Sequence, residues 1–321
     1  MTIVAAPTLD DVERAARGLV GRVHRTPTFS SLSLSRLAGA PVHLKAELFQ
    51  KTGSFKPRGV FTRLDALTAP ERRAGVIGVS AGNHAQALAY ASAREGLDCL
   101  VVMWRGASSA KLAAARAYGA RVDLEAGGPA EAFERLELLR GERVPVHPFD
   151  DPLVVAGQGT VGLELLEDVP ATDTVVVPAG GGGLVAGIAV AGRATRPGAR
   201  VVAVEPERSR ALGAALEAGR PVSVTPSSAA DGLNAPFAGA LPTRICGELG
   251  VEHVAVTEEQ IADAFRLVYE RTKLAVEPAA AVGVAALVGG TLDVSGTETV
   301  TVVVSGGNVD ARTASGILGS R

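Results

Sequence analysis

Residues 76–95 read VIGVSAGNHAQALAYASARE, and this stretch decides the predicted fold. Its first four residues form a short apolar run rich in β-branched side chains, which favours a strand. The alanine-rich part from Asn83 to Glu95 favours a helix. Because the same alternation continues along the chain, the sequence predicts right-handed strand–helix–strand units and a parallel sheet.

The alternation forms two series, separated by a loop at residues 147–152 that is rich in proline and aspartate. The first series adds strands at 99–103, 121–124 and 144–147 and helices at 109–118 and 129–140. The second has strands at 174–177, 200–205, 253–256 and 299–304 and helices at 184–196 and 258–271. Residues 221–242, rich in Pro, Ser, Gly and Asp, predict a long loop. The predicted fold class is therefore α/β, with two open, mainly parallel sheets flanked by helices and a cleft between them.

Length and composition restrict the classes of function. The chain has 321 residues, enough for two domains, and its net charge of −2 gives no support for nucleic acid or a membrane as a partner. Cys99 and Cys246 lack C-x-x-C spacing, so neither a disulfide nor a metal site is predicted from them. Residues 1–4 lack the basic start of a signal peptide, and no apolar stretch reaches membrane-spanning length. We therefore expect a cytoplasmic protein.

A glycine-rich loop is the first candidate site. Gly180, Gly181, Gly182 and Gly183 stand between the strand at 174–177 and the helix that begins at Leu184. Glycines at the start of a helix let backbone N–H groups converge on an anion, which the helix dipole also attracts. The spacing is not the G-x-G-x-x-G of dinucleotide sites, and no acidic residue follows where a ribose needs one. The loop therefore predicts a phosphate-binding site rather than a nucleotide site.

Lys56 lies in the segment KTGSFKPRG, residues 51–59. One interpretation is an exposed basic turn, which is the usual place for a lysine beside glycine and proline. The other is a lysine amine that attacks an aldehyde to form a Schiff base. That chemistry requires a lowered pKa, from burial or from a neighbouring cation such as Arg58.

Ser80, Ala81, Gly82, Asn83 and His84 follow the strand at 76–79. They could be an ordinary helix start, because Ser and Asn are good capping residues. They could also form a carboxylate-binding loop of backbone N–H groups, with Ser80, Asn83 and His84 adding side-chain donors. Open α/β sheets bind ligands at the carboxyl ends of their strands, which favours the second interpretation.

Ser305 begins the segment SGGN, residues 305–308, after the last predicted strand. The two glycines are typical of a tight turn at the end of a strand. The Ser305 hydroxyl is at the same time a candidate partner for a ring nitrogen of a ligand.

Together these segments resemble one family, the fold-type-II pyridoxal-phosphate enzymes, and within it the branch of serine/threonine dehydratases and serine racemases. The resemblance spans residues 25–310, in the family's order. It implies a fold like that of the tryptophan synthase β subunit, with the cofactor in the cleft, and a homodimer. It also implies a large domain of residues 1–70 and 149–321 and a small domain of residues 71–148. The matching segments are ELFQKTGSFK (47–56), SAGNHAQA (80–87), HPFDD (147–151), AGQGT (156–160), PAGGGGL (178–184) and SGGN (305–308).

The resemblance assigns a role to each candidate residue, with pyridoxal 5'-phosphate as the cofactor and a small amino acid as the substrate. The catalytic residue is Lys56, which carries the cofactor and acts as the base at the substrate Cα. The substrate carboxylate is held by Ser80, Ala81, Gly82, Asn83 and His84. The cofactor is held by Phe55 at its ring, Asn83 at its phenolic oxygen, Ser305 at its pyridine nitrogen, and Gly180, Gly181, Gly182, Gly183 and Leu184 at its phosphate.

The reaction implied is β-elimination, which converts L-threonine or L-serine into 2-oxobutanoate or pyruvate and ammonia. A neutral Ser305 hydroxyl does not hold the pyridine nitrogen protonated, which favours elimination over transamination. The racemases have a serine at the position of Ala81, and a methyl group cannot transfer a proton, so racemisation is disfavoured. The alternatives are a dehydratase of a larger 3-hydroxy amino acid (3-hydroxyaspartate or phenylserine), a serine racemase, a β-replacement synthase and a cofactor-binding regulatory protein without turnover.

A divalent metal ion is not expected. Glu205 stands where racemases and some dehydratases have a metal ligand, but Ala211 replaces the acidic residue expected six positions later. Arg208 and Arg210 also bring positive charge nearby. Glu205 is therefore predicted to be a surface carboxylate at the end of a strand. Only a short tail follows Asp310, so the regulatory domain of biosynthetic threonine dehydratases is not expected either.

Overall fold

The computed structural model describes residues 4–107 and 109–319, so the first three residues, which entered the signal-peptide prediction, lie outside it. The described residues form ten strands and fourteen α-helices. The strands are β1 Thr28–Ser30, β2 Val42–Ala46, β3 Val76–Val79, β4 Cys99–Trp104, β5 Arg121–Ala126, β6 Val144–Pro145, β7 Thr172–Pro178, β8 Arg200–Pro206, β9 Glu252–Val256 and β10 Thr299–Val304. The helices are α1 Leu9–Gly18, α2 Leu32–Ala38, α3 Pro57–Asp65, α4 Ala69–Ala74, α5 Asn83–Arg94, α6 Ser109–Ala117, α7 Pro129–Leu139, α8 Pro152–Asp168, α9 Gly183–Thr195, α10 Ala211–Ala218, α11 Ala240–Glu248, α12 Glu258–Thr272, α13 Pro278–Val288 and α14 Ala311–Gly319.

The strands form two sheets. The larger sheet has the order β1-β2-β10-β7-β8-β9, and β1 pairs antiparallel with β2 while the other pairs are parallel. The smaller sheet has the order β5-β4-β3-β6 and is parallel throughout. This arrangement confirms the predicted α/β class with two mainly parallel sheets. The smaller sheet lies within residues 71–148, and the domain boundaries themselves stay a prediction.

Several predicted elements differ in extent from the structure. The strand predicted at 144–147 has only two residues, and β4 continues one residue beyond its predicted end, to Trp104. The loop predicted over 221–242 is interrupted by a short 3₁₀ turn at Asp231–Leu233 and ends where α11 begins at Ala240. These shifts leave the order of the elements unchanged.

Nine helices and two strands of the described residues were missing from the prediction: α1–α4, α8, α10, α11, α13, α14, β1 and β2. Helices α8 and α13 are the most informative of these. Both are buried over most of their length, so apolar residues occur on every side and no one-sided helical period is visible in the sequence. The AGQGT segment lies in α8 and packs against α9 through its glycines. A Cβ atom at Gly187 would lie 2.6 Å from the Gly159 nitrogen and 2.3 Å from the Val155 carbonyl oxygen. These glycines therefore let the two helices approach closely.

A buried ionic cluster stabilises the segment that contains Lys56. Arg58 is 1% exposed, and its guanidinium nitrogens lie 2.7 Å from Glu47 Oε1 and 2.6 Å from Glu164 Oε1. Lys45, fully buried, donates to Glu164 Oε2 at 2.7 Å and to the Thr26 carbonyl at 2.7 Å. The cluster ties β2 and the start of α3 to α8, and so fixes the loop that presents Lys56.

No helix in residues 4–107 and 109–319 has both the length and the apolar character needed to cross a lipid bilayer.

Candidate active site

A cavity of about 420 Å³ opens where the carboxyl ends of the two sheets face each other. Strands β3, β7 and β10 each end at its wall, as expected for ligand sites in parallel sheets. Every residue predicted for the site lines this cavity. They are Phe55, Lys56, Ser80, Ala81, Gly82, Asn83, His84, Gly180, Gly181, Gly182, Gly183, Leu184 and Ser305.

Lys56 immediately precedes α3 and directs its amine into the cavity. Its Nζ donates to the Pro148 carbonyl at 3.0 Å and lies 4.9 Å from the centre of the Phe55 ring. Burial of the amine lowers the pKa of Lys56 to about 8, partly opposed by the negative charge of Glu277. Arg58, the other proposed cause, makes no contribution, because its guanidinium is occupied by Glu47 and Glu164. The interpretation of Lys56 as an exposed basic turn is wrong.

This lowered pKa gives the first testable expectation. Only the neutral amine attacks an aldehyde, so the rate at which Lys56 of the apoprotein reacts with pyridoxal phosphate should rise with pH through about 8. At pH 7.5 the reactive fraction is roughly two-hundredfold larger than for an ordinary lysine. Visible absorbance after mixing measures the rate, with Lys56→Ala as the blank. A midpoint near the ordinary lysine value would contradict the buried environment.

The glycine loop forms the start of α9. Gly182 precedes the helix with φ of 89°, a left-handed conformation that favours glycine. A Cβ atom at Gly181 would lie 2.2 Å from Phe149 Cδ1, and one at Gly183 would lie 3.0 Å from Phe149 Cα, so side chains are excluded there. The first N–H groups of a helix have no carbonyl partner within it and carry partial positive charge. The loop is therefore a cradle of backbone donors that suits a phosphate.

The loop after β3 forms the start of α5. Gly82 precedes this helix, and its N–H donates to Ser80 Oγ at 3.0 Å. His84 Nε2 lies 3.0 Å from the Val146 carbonyl oxygen and must carry the proton, because a carbonyl only accepts. Burial lowers the pKa of His84 to about 3, so the ring is neutral and its Nδ1 is an acceptor. The His84 ring therefore offers no donor to a carboxylate in this arrangement, and the backbone N–H groups of the loop remain.

Glu277 is a cavity residue that the sequence prediction missed. It directly precedes α13 and is 3% exposed, and its Oε1 accepts a hydrogen bond from Asn83 Nδ2 at 2.7 Å. Burial is the main cause that raises the pKa of Glu277 to about 7. A lone glutamate before a proline and an alanine-rich helix resembles an ordinary helix start, so the sequence carries no sign of this role.

One side of the cavity is aromatic. We call it the aromatic wall and define it as Trp104, Phe133, Phe149 and Phe237. The first three line the cavity directly. The Phe237 ring centre lies 5.0 Å from that of Phe133 and 5.7 Å from that of Phe149. No role could be assigned to Trp104 or to its neighbour Arg105 from the sequence, and the structure places Trp104 in this wall. The wall makes part of the cavity apolar.

An ion pair crosses the cleft at the edge of the cavity. Lys111 of α6 donates to Asp231 in the long loop after α10, and both residues line the cavity. The side chain of Asp231 is 57% exposed, so the pair is partly screened by solvent. It connects the segment that holds the smaller sheet to the loop beside the larger one.

Glu205 is not the surface carboxylate that was predicted. It is fully buried, and its two oxygens accept from the backbone nitrogens of Leu212 and Gly213, each at 2.8 Å. His253 Nε2 lies 2.8 Å from Glu205 Oε2. The carboxylate therefore holds the start of α10, where the helix dipole favours negative charge. Within the described part of the chain, no three His, Cys, Asp or Glu side chains are placed to bind a metal ion together.

The sequence and the fold are both similar to those of known proteins. The family model described as "pyridoxal-phosphate dependent enzyme" matches residues 20–306. L-threonine ammonia-lyase of Thermotoga maritima is 43% identical over 94% of this chain and 76% of that protein. Phenylserine dehydratase of Ralstonia pickettii is 40% identical over 99% of both proteins. The solved structure of maize serine racemase superposes with a TM-score of 0.92 at 34% identity, covering 96% of each chain.

Proposed function

Because the chain belongs to the family of pyridoxal-phosphate-dependent enzymes, we propose that it converts L-threonine or L-serine into 2-oxobutanoate or pyruvate and ammonia. The observation that carries this proposal is the single cavity that joins the low-pKa amine of Lys56 to the glycine cradle and the loop after β3. Relatives named as threonine ammonia-lyases, at up to 43% identity, support the choice of substrate.

The residues of the cavity fit pyridoxal phosphate. The backbone N–H groups of Gly180, Gly181, Gly182, Gly183 and Leu184 would hold the phosphate, since this cradle excludes side chains. Ser305, Asn83 and Phe55 would contact the ring, and Lys56 would attach it. When bound, the cofactor withdraws electrons from the substrate Cα and so makes its hydrogen acidic.

The protein supplies orientation and proton transfer. The loop after β3 would hold the substrate carboxylate through backbone N–H groups, with Ser80 and Asn83 beside them. The Lys56 amine would remove the Cα proton, since a pKa near 8 leaves a useful fraction of it neutral at physiological pH. The enclosing walls exclude bulk water from this step.

Elimination is proposed over racemisation because Ala81, on the cavity wall, has no group that can transfer a proton. We expect the holoenzyme to produce pyruvate from L-serine without D-serine, and Ala81→Ser to produce measurable D-serine. Chiral chromatography of the amino acid, together with a pyruvate assay, measures both products. Accumulation of D-serine by the wild-type enzyme at a rate similar to pyruvate release would overturn the choice of elimination.

The aromatic wall favours phenylserine as a second candidate substrate. A phenyl group on Cβ would be sheltered by Trp104 and Phe133, and the Ralstonia relative bears the name phenylserine dehydratase. If this is the main substrate, kcat/KM for L-threo-phenylserine will exceed that for L-threonine, and Phe133→Ala will lower the first more than the second. Equal losses of kcat/KM for both substrates would show that the aromatic wall does not favour phenylserine.

A cytoplasmic location, expected from the sequence, is kept as a proposal. The family resemblance supports a homodimer and the division into a large domain (1–70 and 149–321) and a small domain (71–148). These are proposed on that ground alone.

A further inference from the structure

Three side chains form a hydrogen-bonded network that crosses the cleft. Asn83, at the start of α5, donates through Nδ2 to Glu277 Oε1 at 2.7 Å and accepts through Oδ1 from Asn308 Nδ2 at 2.9 Å. Asn308 Nδ2 also donates to the Thr52 carbonyl at 2.7 Å. The network thus connects the loop after β3 to the loop after β10, to the start of α13 and to the segment that presents Lys56.

The network determines which way the Asn83 amide points. An asparagine side chain has two N–H donors and one carbonyl acceptor. Asn308 must present its nitrogen at both of its contacts, because the Thr52 partner is a carbonyl. Asn83 therefore presents its oxygen to Asn308 and its nitrogen to Glu277, which leaves one N–H of Asn83 for a ligand in the cavity.

Glu277 is held firmly in this network. A Cβ atom at Gly306 would lie 2.5 Å from its Oε1, so the carboxyl fills the space beside the loop after β10. The backbone N–H of Asn308 is a second donor to it. The charged groups that face it are Lys56, Lys111 and Asp231, and the Lys111 cation is already paired with Asp231. A buried carboxylate with so little compensation is costly, which points to a role in the site.

We propose that Glu277 is a positioning residue for the cofactor ring, which fixes the Asn83 amide so that its free N–H is directed at the phenolic oxygen of the bound cofactor. The inference rests on the proposed function for the place of the ring. An ionised carboxylate only accepts hydrogen bonds, so it holds the nitrogen of Asn83 toward itself. A protonated Glu277 no longer demands a donor at this contact, so the Asn83 amide is then held by Asn308 alone and its N–H is directed less firmly at the cofactor oxygen.

The proposal gives a pH dependence with a definite sign. Glu277 has a raised pKa of about 7, so its orienting carboxylate is present above that pH and is lost as the pH falls through it. We therefore expect the affinity for pyridoxal phosphate to weaken as the pH falls through about 7. Lys56, with a pKa of about 8, also contributes to the pH dependence of cofactor binding. Variants that all retain Lys56 are therefore compared with one another, so that their differences report on Glu277.

The test is a fluorescence titration of the full-length apoprotein with pyridoxal phosphate from pH 6 to 9. Glu277→Ala is expected to raise Kd at pH 8 by at least about tenfold, because Asn83 loses one of the two partners that hold its amide. Glu277→Gln is neutral at every pH, like the protonated carboxyl, and is expected to show the weaker low-pH affinity throughout, without the change near pH 7. Asp231→Asn, which removes another carboxylate of the same cavity that does not touch Asn83, should keep that change but move it to lower pH, because the Asp231 charge helps to raise the pKa of Glu277.

Wild-type affinity in Glu277→Ala, or a change near pH 7 that persists in Glu277→Gln, would overturn the proposal. If Glu277→Ala does not fold, the glutamine variant alone decides. The titration measures cofactor binding and needs no turnover. If the Kd values follow the expected pattern but the enzyme is inactive toward all 3-hydroxy amino acids, the proposed function is wrong and the role of Glu277 is still supported.

Discussion

Replacing Lys56 with alanine is expected to lower the turnover of L-threonine by at least about a thousandfold, because the variant loses both the amine that attaches the cofactor and the base at Cα. The visible absorbance of the bound cofactor should disappear as well. A coupled assay of 2-oxobutanoate and an absorbance spectrum of the purified protein measure the two effects.

Lys51→Ala is the matched control for this variant. Lys51 lies in the same segment, five residues earlier, and is absent from the cavity wall. It should retain activity and absorbance within a factor of about two. If Lys56→Ala kept more than a tenth of the wild-type turnover with a normal thermal melt, Lys56 would not be the catalytic amine.

Replacing Arg58 with alanine is expected to lower the free energy of unfolding by about 3–5 kcal/mol, because it leaves the buried Glu47 carboxylate without its main cation. Arg58 favours the ionised form of Glu47 and holds the pKa of that carboxyl below its usual value against the opposing effect of burial. For a chain of this size, the melting temperature should fall by roughly 10 °C. Circular dichroism during heating measures the change.

Arg140→Ala is the control for Arg58. Arg140 pairs with Glu137 on the surface, with side chains 55% and 57% exposed, and such pairs contribute less than about 1 kcal/mol. Its melting temperature should stay within about 2 °C of the wild-type value. Equal shifts for the two arginine variants would show that the buried cluster gives no special support to the Lys56 segment.

Most of the site could be predicted from the sequence because its parts follow strands. Parallel strands of one sheet end at the same edge, so the segments after β7 and β10 had to meet there, and the segment after β3 lies at the equivalent edge of the smaller sheet. The residues that were missed carry no recognisable motif, although Trp104 is the last residue of β4. Glu277 stands before an apolar helix, and the aromatic wall collects Trp104, Phe133 and Phe237 from three separate segments. Only the tertiary structure brings these residues to the cavity.

The errors in the predicted fold have the same cause, because they concern residues whose surroundings are set by tertiary contacts. Helix α8 is covered by both α3 and α9, so its apolar residues are spread around the helix and its sequence shows no one-sided period. Glu205 was predicted to be exposed because a carboxylate at a strand end usually is. The start of α10 and His253 instead enclose it, and neither contact could be read from the neighbouring residues.

The enzyme is expected to release ammonia and a 2-oxo acid from a 3-hydroxy amino acid bound in this cavity. The most direct test incubates the holoenzyme with L-threonine and quantifies ammonia, 2-oxobutanoate and the remaining amino acid. The expected result is equimolar ammonia and 2-oxobutanoate, absent in Lys56→Ala, with the remaining threonine unchanged at Cα. Threonine epimerised at Cα without ammonia, or no product from L-threonine, L-serine or L-threo-phenylserine at full cofactor occupancy, would contradict it.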